Sequence, residues 1–195
     1  MEKFDTLAAV ALPIDRPNCD TDQIVPARFL QKPRSADFGA FLFRDLRADP
    51  DFALNRPAFA DARILVARRN FGCGSSREHA VWALWDHGFR AVIAPSLGDI
   101  FAANATRNGL LTIVLPEPAI DAIFAEIAAR QESIIRIDLP AQTVTWGEAP
   151  AERFDIDPYA KHCLTSGLDE LGYTLECMDA IQRFETTYTL EKGEA

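Results

Sequence analysis

The feature that most constrains this chain is a regular alternation between residues 63 and 130. "RILVA" (63–67) leads to "SREHAVWALWDHG" (76–88), then "AVIA" (91–94), "LGDIFAANATRNG" (97–109), "LLTIVL" (110–115) and "EPAIDAIFAEIAAR" (117–130). Val81, Leu84 and Trp85 follow helical spacing, and Ile120, Ile123, Phe124 and Ile127 share one helical face. Short buried strands alternating with helices require right-handed crossovers and an at least partly parallel sheet. The flanks keep a different rhythm. "SIIRIDL" and "QTVTWG" alternate with period two across Pro140–Ala141, which signals a hairpin, and "RFDID" reads as a further strand. "PYAKHCLTSG" and "LECMDAIQRFE" read as short terminal helices. Ahead of the alternation come a strand at 4–14, the turn-rich "NCDTDQIVP" and a predicted helix over "ADFGAFLFRDL". No repeat or low-complexity linker divides the 195 residues, so the expectation is one α/β domain with added β-hairpins.

Charge and cysteine content exclude several function classes. The net charge is −9, the wrong sign for general phosphate neutralisation on nucleic acid. Sixteen of the twenty basic residues are Arg, the side chain suited to bidentate carboxylate recognition. Cys19, Cys73, Cys163 and Cys177 are scattered, with no C-x-x-C pair and no zinc-finger spacing, so a metal held wholly by this chain is not expected. No apolar run approaches a membrane span, and "MEKFDTLAAVALPIDRP" reads as a first strand of a cytoplasmic protein, not a signal peptide.

The chemistry concentrates in "NFGCGSSREHA" (70–80). Ser75 and Glu78 match an S-x-x-E capping box, and Ser96 with Asp99 repeats a similar pattern. Gly72 and Gly74 suit positive φ in a tight strand-to-helix turn. These are ordinary structural roles. Three features point further. The loop follows a buried strand, where open α/β sheets bind ligands. A helix N-terminus favours anions. Arg77 falls in the predicted first turn, where a cation opposes the helix dipole unless an anionic ligand is present. The Walker lysine is missing, and Arg77 stands where G-x-G-x-x-G needs glycine, so a carboxylate fits better than a nucleotide. Asp20, Thr21 and Asp22 form a second polar cluster that taken alone is an Asx-type turn.

Taken together, "DTDQIVPARFL" and "NFGCGSSREHA" resemble the small subunits of 3-isopropylmalate dehydratase, which correspond to the swivelling domain of aconitase-type hydro-lyases. "FDIDPYAKHCLTSGLDELGYTLECMDAIQRFE" resembles the C-terminal extension of the bacterial subunits. The resemblance implies a single swivelling β/β/α domain over 1–195, with a mixed, partly parallel sheet and a C-terminal helical extension at 158–195. It implies a dehydration and rehydration that moves a hydroxyl between adjacent carbons of a dicarboxylate. No cofactor is then bound by this chain, and a 4Fe–4S cluster is expected in a cluster-bearing large subunit.

The site residues implied are Ser75 as base, Arg77 as the carboxylate-binding residue, Ser76 on the substrate or the loop, and Asp22 as an acidic neighbour. Ser75 can act as a base only if N–H groups and positive charge stabilise its oxyanion. His79, one turn after Ser75, is expected to pack, and Cys73 is given no catalytic role. Phe29 and Leu30 occupy the family's specificity segment and could face an isopropyl group, or belong to the core. Homoaconitase-like relatives place a cation in this segment for an extra carboxylate, which makes Arg28 and Arg34 relevant. Two other readings stay open: a hydro-lyase for another small dicarboxylate (citraconate, dimethylmalate or homoaconitate), or a non-catalytic anion-binding module.

Overall fold

The computed structural model describes residues 1–74 and 77–192, with side chains to Tyr188. Its framework is one seven-stranded sheet in the order β4-β3-β2-β1-β5-β6-β7. The strands are β1 (Thr6–Ile14), β2 (Ile64–Ala67), β3 (Ala91–Ala94), β4 (Leu111–Val114), β5 (Ile134–Asp138), β6 (Thr143–Trp146) and β7 (Glu152–Arg153). β1 joins two sheet styles. Its first half pairs antiparallel with β5, Ala8 opposite Arg136, and its second half pairs parallel with β2, Ala11 opposite Ile64. On one side β1 to β4 run parallel; on the other, β5 to β7 form the antiparallel hairpins.

Burial follows from this arrangement. All four residues of β2 and of β3 are buried, as parallel strands covered on both faces must be. β5 alternates exposed and buried, as a one-sided antiparallel strand does. The crossovers are α2 (Glu78–His87), α3 (Asp99–Arg107) and α4 (Glu117–Ala129). Gly88 ends α2 in the left-handed region at φ 112°. Ile120, Ile123 and Ile127 of α4 are buried, and each such side chain contributes roughly 1.5–3 kcal/mol relative to exposure.

α1 (Thr21–Ile24) is a single turn capped by Asp20, whose carboxylate accepts the Gln23 N–H at 2.8 Å. α5 (Pro158–Ser166) and α6 (Glu170–Glu176) are capped by Asp157 and Asp169, and α7 (Met178–Lys192) follows.

Two predicted elements differ. "ADFGAFLFRDL" is not an α-helix but a 3-10 turn, Phe38–Phe41, followed by Leu42 in extended geometry and Phe43 at φ 49°. Phe38, Leu42 and Phe43 are all fully buried, so packing overrides helix propensity here. In "RFDID" only Arg153, with Glu152 before it, pairs with β6; Gln142 still binds the Phe154 carbonyl, and the chain then leaves so that Asp157 can cap α5.

A candidate active site at the ends of the parallel strands

The loops after β1, β2 and β3 meet beyond the carboxyl ends of their strands. Backbone bonds lace the first two together. Asn18 N–H donates to the Arg69 carbonyl at 2.9 Å, Gly72 N–H to Cys19 at 2.7 Å and Thr21 N–H to Cys73 at 3.0 Å. The third loop joins from the other side: Phe71 N–H donates to the Ser96 carbonyl at 3.2 Å, and Gly98 N–H to the Phe71 carbonyl at 2.9 Å. Asn70 is the node. Its side-chain amide donates to Asn18 Oδ1 at 2.8 Å, and its N–H donates to Ser96 Oγ at 2.9 Å. Asn18 and Asn70 both hold positive φ, 55° and 61°, a conformation Asn tolerates better than most residues. Sequence reading missed this pair, whose members are ordinary turn residues until the fold brings them together.

Both predicted glycine positions lie in the left-handed region, Gly72 at φ 72° and Gly74 at φ 92°. Gly72 is needed twice over, since a Cβ there would lie 2.4 Å from the Phe101 ring. Ser96 does not cap α3. Gly98 holds the N-cap position, and the Ser96 hydroxyl serves Asn70 instead.

Arg77 is not inside a helical turn. It is the N-cap of α2, extended at φ −137° and ψ 109° with no side-chain cap bond, so it stands at the helix start and not within the first turn. Glu78 is therefore the first helical residue, not the third as the capping box required. Its carboxylate accepts from Asn108 at 2.8 Å. Ser75 and Ser76 lie outside the described residues. Arg77 and Asp22 come together: the Nη1 of Arg77 donates to Asp22 Oδ1, joining the two sequence clusters through an ion pair. Asp22 is half exposed and Arg77 largely buried. Gln23 Oε1 beside them is buried with no hydrogen-bond partner among the described residues.

His79 packs edge-on against Phe38 at 5.3 Å and against Trp82 at 4.6 Å. Burial lowers its pKa, partly offset by the Leu30 carbonyl beside its ring. Phe29 and Leu30 are half-buried, and Phe29 stacks on Phe41 at 4.3 Å. Cys19 is fully buried and its thiol is pushed up to about 12 by burial and then by Asp20; burial also raises Cys73. Both thiols are therefore protonated at neutral pH, which makes them poor nucleophiles.

Residues 1–118 match the family described as the aconitase C-terminal domain. The small subunit of 3-isopropylmalate dehydratase from Magnetococcus marinus is 45% identical over 210 residues, covering 100% of this chain and 97% of that one. The corresponding subunit from Ruegeria sp. is 44% identical, covering 98% of each. The chain belongs to the aconitase C-terminal domain family, with the small subunits of 3-isopropylmalate dehydratase. The crystal structure of 3-isopropylmalate dehydratase from Methanocaldococcus jannaschii shares the aconitase-type fold with a TM-score of 0.66 at 24% identity, covering 92% of this chain and 99% of that one.

Two clefts of about 550 and 660 Å³ lie elsewhere, one between α3, β4 and α5, the other between α4 and the 49–59 turns. An iron–sulfur cluster does not fit the residues present. Among the described residues no three His, Cys, Asp or Glu side chains are grouped to hold a metal ion. Nor, among these residues, is any helix long and apolar enough to cross a membrane.

Proposed function

We propose that this chain is the small subunit of a cytoplasmic 3-isopropylmalate dehydratase that interconverts 2- and 3-isopropylmalate through isopropylmaleate in leucine biosynthesis. Residues 1–195 act as a single swivelling domain, with 158–195 as its C-terminal helical extension. The observation that carries the reading is the convergence of Asp22 of α1 and Arg77, the N-cap of α2, in one ion pair beyond the ends of the parallel strands. A partly buried guanidinium at such a place suits a substrate carboxylate, which it can grip with two parallel bonds. Asp22 holds the guanidinium in position before substrate arrives. Ser75 serves as the base: it takes the C–H proton beside a carboxylate as the neighbouring carbon–hydroxyl bond opens, and the departing hydroxyl takes a proton from an acid of the completed site, so that the products are the alkene and water. Return of that proton, with water adding to the other carbon, gives the isomer. Ser76 binds substrate or steadies the loop, and Phe29 and Leu30 face the isopropyl group.

The partner is a large subunit that completes the site and holds the 4Fe–4S cluster, for which this chain offers no ligand set. The test is turnover of 3-isopropylmalate by the two subunits purified together. Turnover that needs both supports the reading. Anion binding without turnover by a correctly assembled complex would leave the anion-binding module instead.

A further inference from the structure

The parallel pairing of β1 with β2 breaks off and then resumes. Ile14 stands opposite Ala67 at the end of the two strands. Each chain then makes a detour, and the two meet again in a parallel bridge between Asp20 and Cys73. Both detours advance six residues, from 14 to 20 and from 67 to 73, so the register after the gap is the register before it. Where the detours open, Arg68 Nε donates to Asp15 at 2.6 Å. Further along stand Asn18 and Asn70, one in each detour and both in the left-handed region, with the Asn70 amide donating to Asn18 Oδ1 at 2.8 Å. Ser96 Oγ takes the Asn70 N–H at 2.9 Å, which ties the same point to the loop after β3.

The candidate site comes directly after the resumed register. Asp22 is two residues beyond Asp20 and Arg77 four beyond Cys73, and their ion pair needs both chains to arrive in phase. A slip of one residue displaces a strand by about 3.3 Å, enough to part that pair. Holding a residue other than glycine at positive φ costs free energy, and such residues cluster where a site needs a fixed shape. Here two of them face each other across 52 positions of sequence and join their amides. The bond is exposed, so water can replace either partner and its contribution to stability is small. What it adds is alignment.

We infer that Asn18 and Asn70 are positioning residues for the reaction: their amide pair keeps the two detours in phase, so that pairing resumes in register and Asp22 holds the Arg77 guanidinium where a substrate carboxylate reaches it. They act through Asp22 and Arg77, and the inference rests on the dehydratase reading above.

The experiment uses the two-subunit enzyme and reads kcat/KM for 3-isopropylmalate beside the thermal midpoint of the same sample. Asn18→Gly and Asn70→Gly keep the backbone conformation, since glycine takes positive φ freely, and remove the amide bond. Both should melt close to wild type while kcat/KM falls about tenfold to a hundredfold, the larger figure being the scale of a misplacement of roughly 1 Å. Asn18→Asp keeps an acceptor opposite the Asn70 amide and tolerates the same φ, so it should recover most of the activity that Asn18→Gly loses. Adding Asn70→Asp sets two carboxylates face to face, and activity should fall as in the glycine variants. An unchanged kcat/KM in an assembled Asn70→Gly complex overturns the proposal. Should that variant not assemble, Asn18→Gly decides by the same reading. Failure of both to fold, or a low midpoint with near-normal activity per folded complex, makes the pair structural and overturns the proposal as well. A wild-type complex that does not turn over 3-isopropylmalate sinks the functional reading and this inference with it, a result separable from unchanged activity in the variants.

Discussion

Arg77 and Ser75 have different kinds of consequence. Arg77 is tied to Asp22, but Asp22 is half exposed, so the pair contributes about 1 kcal/mol or less to stability. Arg77→Ala should therefore melt close to wild type while kcat/KM in the two-subunit enzyme falls about a hundredfold or more, the scale for a lost charged interaction with a reacting substrate. Arg77→Lys should recover only part, because an ammonium cannot form the two parallel bonds of a guanidinium. A strongly destabilised Arg77→Ala with near-normal activity per folded complex would mark the residue as structural. Ser75→Ala should remove most activity and leave assembly with the large subunit intact, checked by co-purification and turnover on the same sample. At this scale the sequence showed which residue types gather but not how they meet. Nothing in spacing alone joins Asp22 to Arg77, or Asn18 to Asn70, across more than fifty residues. The helix start was misplaced for a local reason: Ser75 and Glu78 satisfy a capping pattern, while α2 begins only after an extended Arg77.

Among the elements, the loop after β2 depends most on a single position. At Gly72 a side chain meets two obstacles, positive φ and the Phe101 ring. Gly72→Ala should cost about 1–3 kcal/mol by denaturant melt and reduce activity of the folded complex, because the loop leading to Arg77 must shift. Phe101→Ala relieves only the clash. The double variant should therefore be less destabilised than the sum of the two singles, a non-additivity that a double-mutant cycle reads directly. The alternation from 63 to 130 was legible because each strand and helix carries its own periodicity in a short window. The stretch 37–47 was not. Its apolar residues are buried by packing against α2 and, at Phe43, against Phe52, in a chain of short turns, and such burial leaves no repeat to read.

The molecule as a whole should be acid-labile in a defined direction. Burial holds the imidazoles of His79 and His87 below their ordinary range. The folded chain thus binds these protons less readily than the unfolded chain, where histidine titrates near about 6.5. The associated stability is complete above that pH and is lost as the pH falls through it toward the folded values. The urea midpoint should drop between about pH 7.5 and pH 5.5, and His87→Gln should shrink the drop. Alone, the chain should show no dehydratase turnover after anaerobic treatment with iron and sulfide; a stoichiometric cluster with turnover would contradict this. Finally, the strand that stitches the parallel and antiparallel halves together is made before either of its partners. β1 leaves the ribosome with both edges bare, and its partners at Ile64 and Arg136 follow much later. At roughly ten residues per second the second partner arrives about ten seconds after the first strand. Through that interval β1 presents an unpaired apolar template to any neighbouring chain, so yield during synthesis depends on what shelters the nascent N-terminus as well as on the stability of the finished sheet.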